Sequence, residues 1–423
     1  MKPDVKIIIG HYIILLAILV SWVNIDMVSP PMSIRILYTI LFFAPLLFYS
    51  QAIPALVTVF FTVRVNSVAP FGYLPTESLL YLIFLIIAGI FTRNQNSLFK
   101  DENRIDRIWI AFILYSTVVT LINLSDKFAF FKYTLIISLL YYFVKSKFSL
   151  SLYFASFIVY SLILSIYSYF FSITFELVQY NSFFEEISRS YWTDPNYLGA
   201  TIGIGTVLSF VYISRLYRPF NSVYMDILSV FTFVASLYTL LQLSSRGALI
   251  STAIACILAL FMSKVSFLKK TFVTILLLFA AFVFFKMGFF DAILMRISDD
   301  SGGSGRMIIW YTGLMNYLDQ NIFAIVLGGG SDWSLVLCRK GPLDWSPHNN
   351  FLQILFDYGI VGLIMFLIIL YRLIAYSKYK RMSFICILYT VLTCMTVCPF
   401  QFACFPLFLG FCMCLTKIDR HNS

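Results

Sequence analysis

An all-α polytopic membrane protein is what this sequence predicts, and three features lead there. Sixty per cent of its 423 residues are hydrophobic and only 12% charged, with a mean hydropathy of +0.88. That is more apolar surface than a water-soluble globule can bury. The apolar stretches are mostly about 16 to 25 residues long, close to what a helix needs to cross a hydrocarbon layer about 30 Å thick. They lack the strict alternation of barrel strands, which leaves helices.

Taken in order, spans are expected near residues 7–23, 34–50, 51–64, 78–92, 107–124, 130–145, 149–176, 196–214, 223–243, 247–262, 270–290, 351–375, 383–398 and 400–416. Pro45 and Pro54 leave the second and third as one broken helix or two half-spans, so the total is about 12 to 14 transmembrane helices. Lys2 and Lys6 precede the first span and no small-residue cleavage site follows it, so it reads as retained and not as a signal peptide. Four regions follow: N-terminal transmembrane helices (1–185), transmembrane helices carrying arginine motifs (186–290), one long polar loop (291–350), and C-terminal transmembrane helices (351–423).

With an interior N-terminus, 19 of the 30 lysines and arginines fall on the cytoplasmic side, most of them in short loops where the positive-inside rule counts. The long loop then faces outward. The net charge of +10 is scattered beside the spans and forms no stripe, which argues against a nucleic-acid partner. Seven of the eight cysteines sit in apolar segments and only Cys338 in the loop, so they read as small packing residues, and neither a disulfide framework nor a metal site is expected.

Three outward-facing places carry polar residues that a bare span does not need: Arg189 to Asn196, including Asp194; Ser244-Ser245-Arg246-Gly247; and the long loop itself. Ionisable groups near lipid are costly and are kept where they bind, react or pair. Arg246, followed by a glycine that permits close backbone approach and preceded by serines able to cap the next helix, suits a phosphate through its permanently charged fork. Interfacial snorkelling accounts for it equally well. Arg306 opens a second expected helix with Ser304 near its cap. Met307, Trp310, Tyr311, Leu314 and Leu318 then share a face that would rest on the membrane or on other helices. The free N–H groups of that first turn favour an anion; a solvated interfacial arginine is the plainer reading.

His348 lies in Ser346-Pro347-His348-Asn349-Asn350, with Ser346 as expected cap and Pro347 as first helical residue. That places the imidazole in a helical first turn, whose positive end disfavours imidazolium and keeps the neutral form a general base requires. A lone histidine there can also be a simple hydrogen-bonding residue; the two arginines and the two asparagines around it favour the functional reading. Asp299-Asp300 reads as a solvated loop. Gly328-Gly329-Gly330 lacks a P-loop lysine and reads as a flexible turn. Gly359 and Gly362 read as close helix packing.

Ser244-Ser245-Arg246-Gly247-Ala248-Leu249, then Gly305-Arg306 with Trp310, then His348-Asn349 followed by Gly359 and Gly362, resembles the bacterial O-antigen ligase/polymerase family over about residues 185–375. The resemblance implies a GT-C type glycosyltransferase of the bacterial inner membrane, acting at the periplasmic face through a long periplasmic loop, without metal or other cofactor. Its substrate would be an undecaprenyl-pyrophosphate-linked oligosaccharide. By motif, Arg246 and Arg306 would hold the pyrophosphate and His348 would deprotonate the acceptor hydroxyl. Arg189, Asp194, Asn196 and Asn349 are further candidate substrate contacts. The expected reaction is the polymerase one, with inversion; the sibling ligase, acting on lipid A-core, and a lipid-linked oligosaccharide flippase are the alternatives. A chain-length regulator is a partner the family implies.

Overall fold

The computed structural model describes residues 104–123, 150–170, 195–243, 245–286, 288, 306–339, 346–398 and 404–416. The expected spans at 7–23, 34–50, 51–64, 78–92 and 130–145 lie outside the described residues. Among the described residues all regular structure is helical, with no strand. The helices are α1 (Arg104–Ile122), α2 (Leu150–Phe170), α3 (Pro195–Ile213), α4 (Val223–Gln242), α5 (Arg246–Met262) and α6 (Phe267–Lys286). They continue as α7 (Arg306–Leu318), α8 (Ile322–Leu327), α9 (Trp333–Leu337), α10 (Asn350–Ala375), α11 (Lys380–Cys394) and α12 (Cys404–Cys414). Three of them, Asn196–Ile213 within α3, Val223–Gln242 and Asn350–Ala375, are long and apolar enough to cross a membrane.

Helix α3 is the hub, almost wholly buried among α2, α4, α5 and, more lightly, α11 and α12. Lipid is as apolar as leucine, so helices in it associate through close packing and polar contacts, not through burial alone. That is what α3 offers its neighbours. A Cβ at Gly205 would strike Ser161 and the Phe157 carbonyl of α2; one at Gly203 would strike the Tyr389 hydroxyl of α11 and come 2.7 Å from Thr252 Oγ1 of α5. Hydroxyls then bond across the helices. Tyr160 donates to the Thr201 carbonyl (3.0 Å), Ser161 to that of Ile202 (2.8 Å), and Tyr389 to that of Ala200 (2.6 Å). Aromatic edges lock α2 to α12, with Tyr153–Phe411 and Phe157–Phe408 centroids each 5.5 Å apart. Outward-facing Ile227, Phe231 and Val234 of α4, and Phe272, Leu276 and Phe279 of α6, are exposed, as lipid-facing residues are.

The bundle has two unlike ends. The connections α3–α4, α5–α6 and α10–α11 share one end, which carries Arg215, Arg218, Lys264, Lys269, Lys270, Arg372, Lys378, Lys380 and Arg381. It is tied together by Arg381 Nη1 donating to the Met262 carbonyl (3.0 Å), by the Tyr217 and Tyr379 rings at 4.8 Å, and by the Lys378 N–H on the Leu415 carbonyl (3.0 Å). Arg218 grips both carboxylate oxygens of Asp226, at 2.8 and 2.7 Å. At the other end lie the N-termini of α3, α5 and α10, the C-terminus of α11, and the Arg306 end of α7.

Helix α10 is broken at Gly359 (φ 66°, ψ −171°). Gly328-Gly329-Gly330 fills the break. The Gly329 and Gly330 N–H groups donate to the Phe356 and Asp357 carbonyls at 3.3 and 2.8 Å, while the Tyr115 hydroxyl lies 2.9 Å from the Leu327 carbonyl and 3.0 Å from that of Tyr358. The triglycine is therefore not a flexible turn but a backbone-on-backbone crossing. Carbonyl and amide groups freed inside an apolar helix need partners, and here a loop and a tyrosine supply them.

Candidate functional site

The polar end is assembled from helix termini joined by a chain of short contacts. Ser245, the residue before α5, is buried; its hydroxyl caps no N–H of its own helix and donates to Asn196 Oδ1 in the first turn of α3, at 3.2 Å. Gly199, one turn further along α3, brings that helix so near that a Cβ there would sit 3.1 Å from Ala248 Cβ and 3.2 Å from Ser245 Cβ. Arg246, half-buried, is the first residue of α5. At the next residue, a Cβ on Gly247 would lie 2.5 Å from Thr396 Oγ1, which pins the Arg246 turn against the end of α11.

Two residues past Thr396, Cys398 Sγ accepts a hydrogen bond from the Ser346 hydroxyl at 3.7 Å. From Ser346 the chain passes Pro347, whose carbonyl accepts the Trp310 indole N–H at 2.6 Å. Trp310 stands four residues after Arg306 on α7, and residues so spaced share a helix face. Arg306 is half-buried and opens α7, one turn before Trp310. Contacts of neighbouring residues thus join the turns that carry Asn196, Arg246 and His348 and tie α7 to them through Trp310; Asn196, Arg246 and Arg306 each lie in the first turn of a helix. Arg189 and Asp194 lie outside the described residues, as do Ser244 and Ser304.

His348 departs from its expected setting. The helix begins at Asn350 and its cap is Asn349, whose Oδ1 accepts the N–H groups of Phe351 (3.0 Å) and Leu352 (3.2 Å). The Ser346 hydroxyl, expected as the cap, instead meets Cys398 and only distantly the His348 N–H, at 3.5 Å. An asparagine in extended conformation can serve two donors of the first turn, which a serine three residues earlier cannot reach. His348 therefore stands just outside α10 in the left-handed region, at φ 47°. This conformation costs a non-glycine residue about 1–2 kcal/mol, and histidine is among the few residues enriched there. Its ring is half-buried, with Nδ1 shut away from solvent.

Helix α7 packs inward through a face other than the apolar one expected to rest on the membrane or on other helices. Ile309, Gly313 and Tyr317 are buried against α9 and α10, while Met307, Tyr311 and Leu318 are exposed. Gly313 is the reason: it lets α7 close on Cys338 and Phe356, at 2.7 and 2.9 Å from the place a Cβ would take. Asn316 Nδ2 adds a bond to the Leu337 carbonyl (2.7 Å). Burial, with the nearby Asp357 second, pushes the Cys338 thiol up to about 12. Asp357 is itself buried and uses Oδ1 to accept the Ser334 N–H at the start of α9 (2.7 Å), which makes it a fastening for the loop.

Sequence reasoning counted Asn350 in the company of His348 without giving it a role, and passed over Cys398 and Thr396 as parts of this neighbourhood. For Asn350 a signal was present, since it shares with Gln353 and Asp357 the spacing of one helix face at the start of an otherwise apolar run. For Thr396 and Cys398, ordinary in an apolar segment, there was none.

Residues 231–367 match the O-antigen ligase family model, a stretch that contains Arg246, Arg306 and His348 and ends beyond the break in α10. The matched model is that of the family the motifs resemble. No curated protein matches the chain.

Proposed function

We propose, taking the O-antigen ligase domain at residues 231–367 as the premise, that this chain is an inverting, metal-independent glycosyltransferase of the bacterial inner membrane. It moves a growing glycan from undecaprenyl pyrophosphate onto the non-reducing sugar of a new lipid-linked repeat unit. The observation that supports the reading is the run of contacts from Asn196 through Ser245, Thr396 and Cys398 to the Pro347–Trp310 bond, at the end of the bundle away from its nine clustered cations, which joins the helix starts and turns that carry Arg246, Arg306 and His348. By the positive-inside rule the cationic end is cytoplasmic, so the site opens to the periplasm.

In this chemistry the acceptor hydroxyl oxygen attacks the anomeric carbon from the side opposite the pyrophosphate. The new C–O bond forms as the bond to the phosphate oxygen breaks, which inverts the configuration. His348 takes the hydroxyl proton, and the leaving pyrophosphate keeps the electron pair. Arg246 and Arg306 offer that anion bidentate, permanently charged donors, and the positive ends of the α5 and α7 helix dipoles add to them. Because pyrophosphate leaves readily, one base and charge stabilisation are sufficient.

The family match is equally compatible with a second reading, in which the same donor is transferred to lipid A-core by a ligase. Purified full-length protein given a defined lipid-linked repeat, first alone and then together with lipid A-core, decides between them: elongation of the repeat supports the polymerase, modification of the core without elongation supports the ligase. His348→Ala should abolish whichever transfer is seen, and unchanged transfer by that variant would overturn the assignment of the base.

A further inference from the structure

Asn350 is 1% exposed, and among the described residues neither its Nδ2 nor its Oδ1 has a hydrogen-bond partner. Buried polar groups in native proteins are nearly always bonded, and a carboxamide left with both ends unmet is a costly thing to keep beside apolar helices. A leucine or alanine would fill the position without that cost. Asn350 is the first residue of α10, two residues past His348. In a helix the Cα–Cβ bond leans toward the N-terminus, so this side chain leans toward the end that carries His348. Its neighbour Asn349 is already committed to capping α10, with Oδ1 serving two N–H groups.

We infer that the Asn350 carboxamide is a subsite for the acceptor sugar, its N–H donating to one hydroxyl and its oxygen accepting from another beside the hydroxyl that His348 deprotonates. The inference rests on the glycosyltransferase reading and holds for either acceptor. The chemistry of the group selects the ligand class. An anion would use the N–H and be repelled by the carbonyl oxygen, whereas a sugar's hydroxyls both donate and accept and satisfy the two ends together. The arginines are the groups suited to phosphate.

The test uses full-length protein in detergent, with thermal stability measured beside initial rates at varied acceptor and saturating donor, then the reverse. Asn350→Leu removes both unmet groups while keeping the number and branching of the side-chain heavy atoms, so it is expected to melt at or above the wild-type temperature. The same change should lower kcat/KM for the acceptor about 10- to 100-fold and leave the donor KM unchanged. Asn350→Ala serves as a second variant with the same kinetic expectation. Unchanged acceptor kinetics, or a loss that only tracks a fall in melting temperature, overturns the inference in favour of a packing role. A raised donor KM with unchanged acceptor kinetics overturns it in favour of a pyrophosphate contact. The parent reading fails separately, if His348→Ala remains active; an inactive His348→Ala beside a kinetically normal Asn350→Leu removes the subsite alone.

Discussion

Gly359→Ala tests how the loop helices are held on α10. Gly359 sits at φ 66° and ψ −171°, and Gly328 facing it at φ 86° and ψ 171°, in a region of backbone space used essentially by glycine alone. Forcing alanine there costs about 1–3 kcal/mol. The new Cβ would also strike the Val326 carbonyl oxygen and come 2.6 Å from the Gly328 nitrogen. Both are backbone atoms and cannot rotate away, so overpacking adds about 1–3 kcal/mol more. The sum is roughly 2–6 kcal/mol. At roughly 2 °C per kcal/mol for a chain of this size, the melting temperature of purified protein should fall by about 4–12 °C. The lipid-facing Ile364→Ala, on the same helix and 50% exposed, provides the comparison and should change little. Gly328→Ala should behave like Gly359→Ala, and the double variant should cost less than the two together, because separating the same two backbones relieves both clashes. If Gly359→Ala melts with Ile364→Ala, the crossing is not a close one and the account of α10 is wrong.

Two further outcomes follow from the same packing. Cys338 is fully buried and its thiol is pushed up to about 12, so at pH 8 only about one molecule in 10⁴ carries the reactive thiolate; peptide mapping after maleimide treatment should find it unlabelled between pH 7 and 9 and labelled only after denaturation, and labelling of the folded protein would contradict its burial. Asp226 pairs with Arg218 at the cationic end, where the two side chains are 42% and 27% exposed; Asp226→Asn should cost no more than about 1 kcal/mol and leave transfer rates unchanged, whereas a large loss of turnover would contradict the separation of the two ends.

The membrane helices were legible because their signal is local. Residues 196–214, 223–243, 247–262 and 351–375, read from apolar runs and flanking charge, correspond to Pro195–Ile213, Val223–Gln242, Arg246–Met262 and Asn350–Ala375. Hydrocarbon forces each segment to satisfy its own backbone, so a single stretch of sequence suffices to decide its state. The loop obeys no such constraint. Helix α7 was visible from its spacing, but α8 and α9, six and five residues long, are too short to hold together by propensity and exist because α10 receives them. Which face of α7 turns inward depends on Gly313 meeting Cys338 and Phe356, residues 25 and 43 positions away. No periodicity within α7 could reveal that.

The same distinction explains the site. Arg246, Arg306 and His348 could be picked out singly, as polar residues where a span needs none, yet nothing local says that they meet. What joins the turns that carry them is a set of small or unremarkable residues on other helices: Gly199 and Ser245 close α3 on α5, Gly247 admits Thr396, and Cys398 receives Ser346. None of these touches a reacting atom in the proposed chemistry, and each sets the separation of two helix termini. A side chain larger than glycine at position 247 would press on Thr396 and push the Arg246 turn away from α11, and with it from the turn that carries His348. Position 247 therefore governs the spacing between the proposed pyrophosphate clamp and the proposed base, although glycine brings no functional group to either.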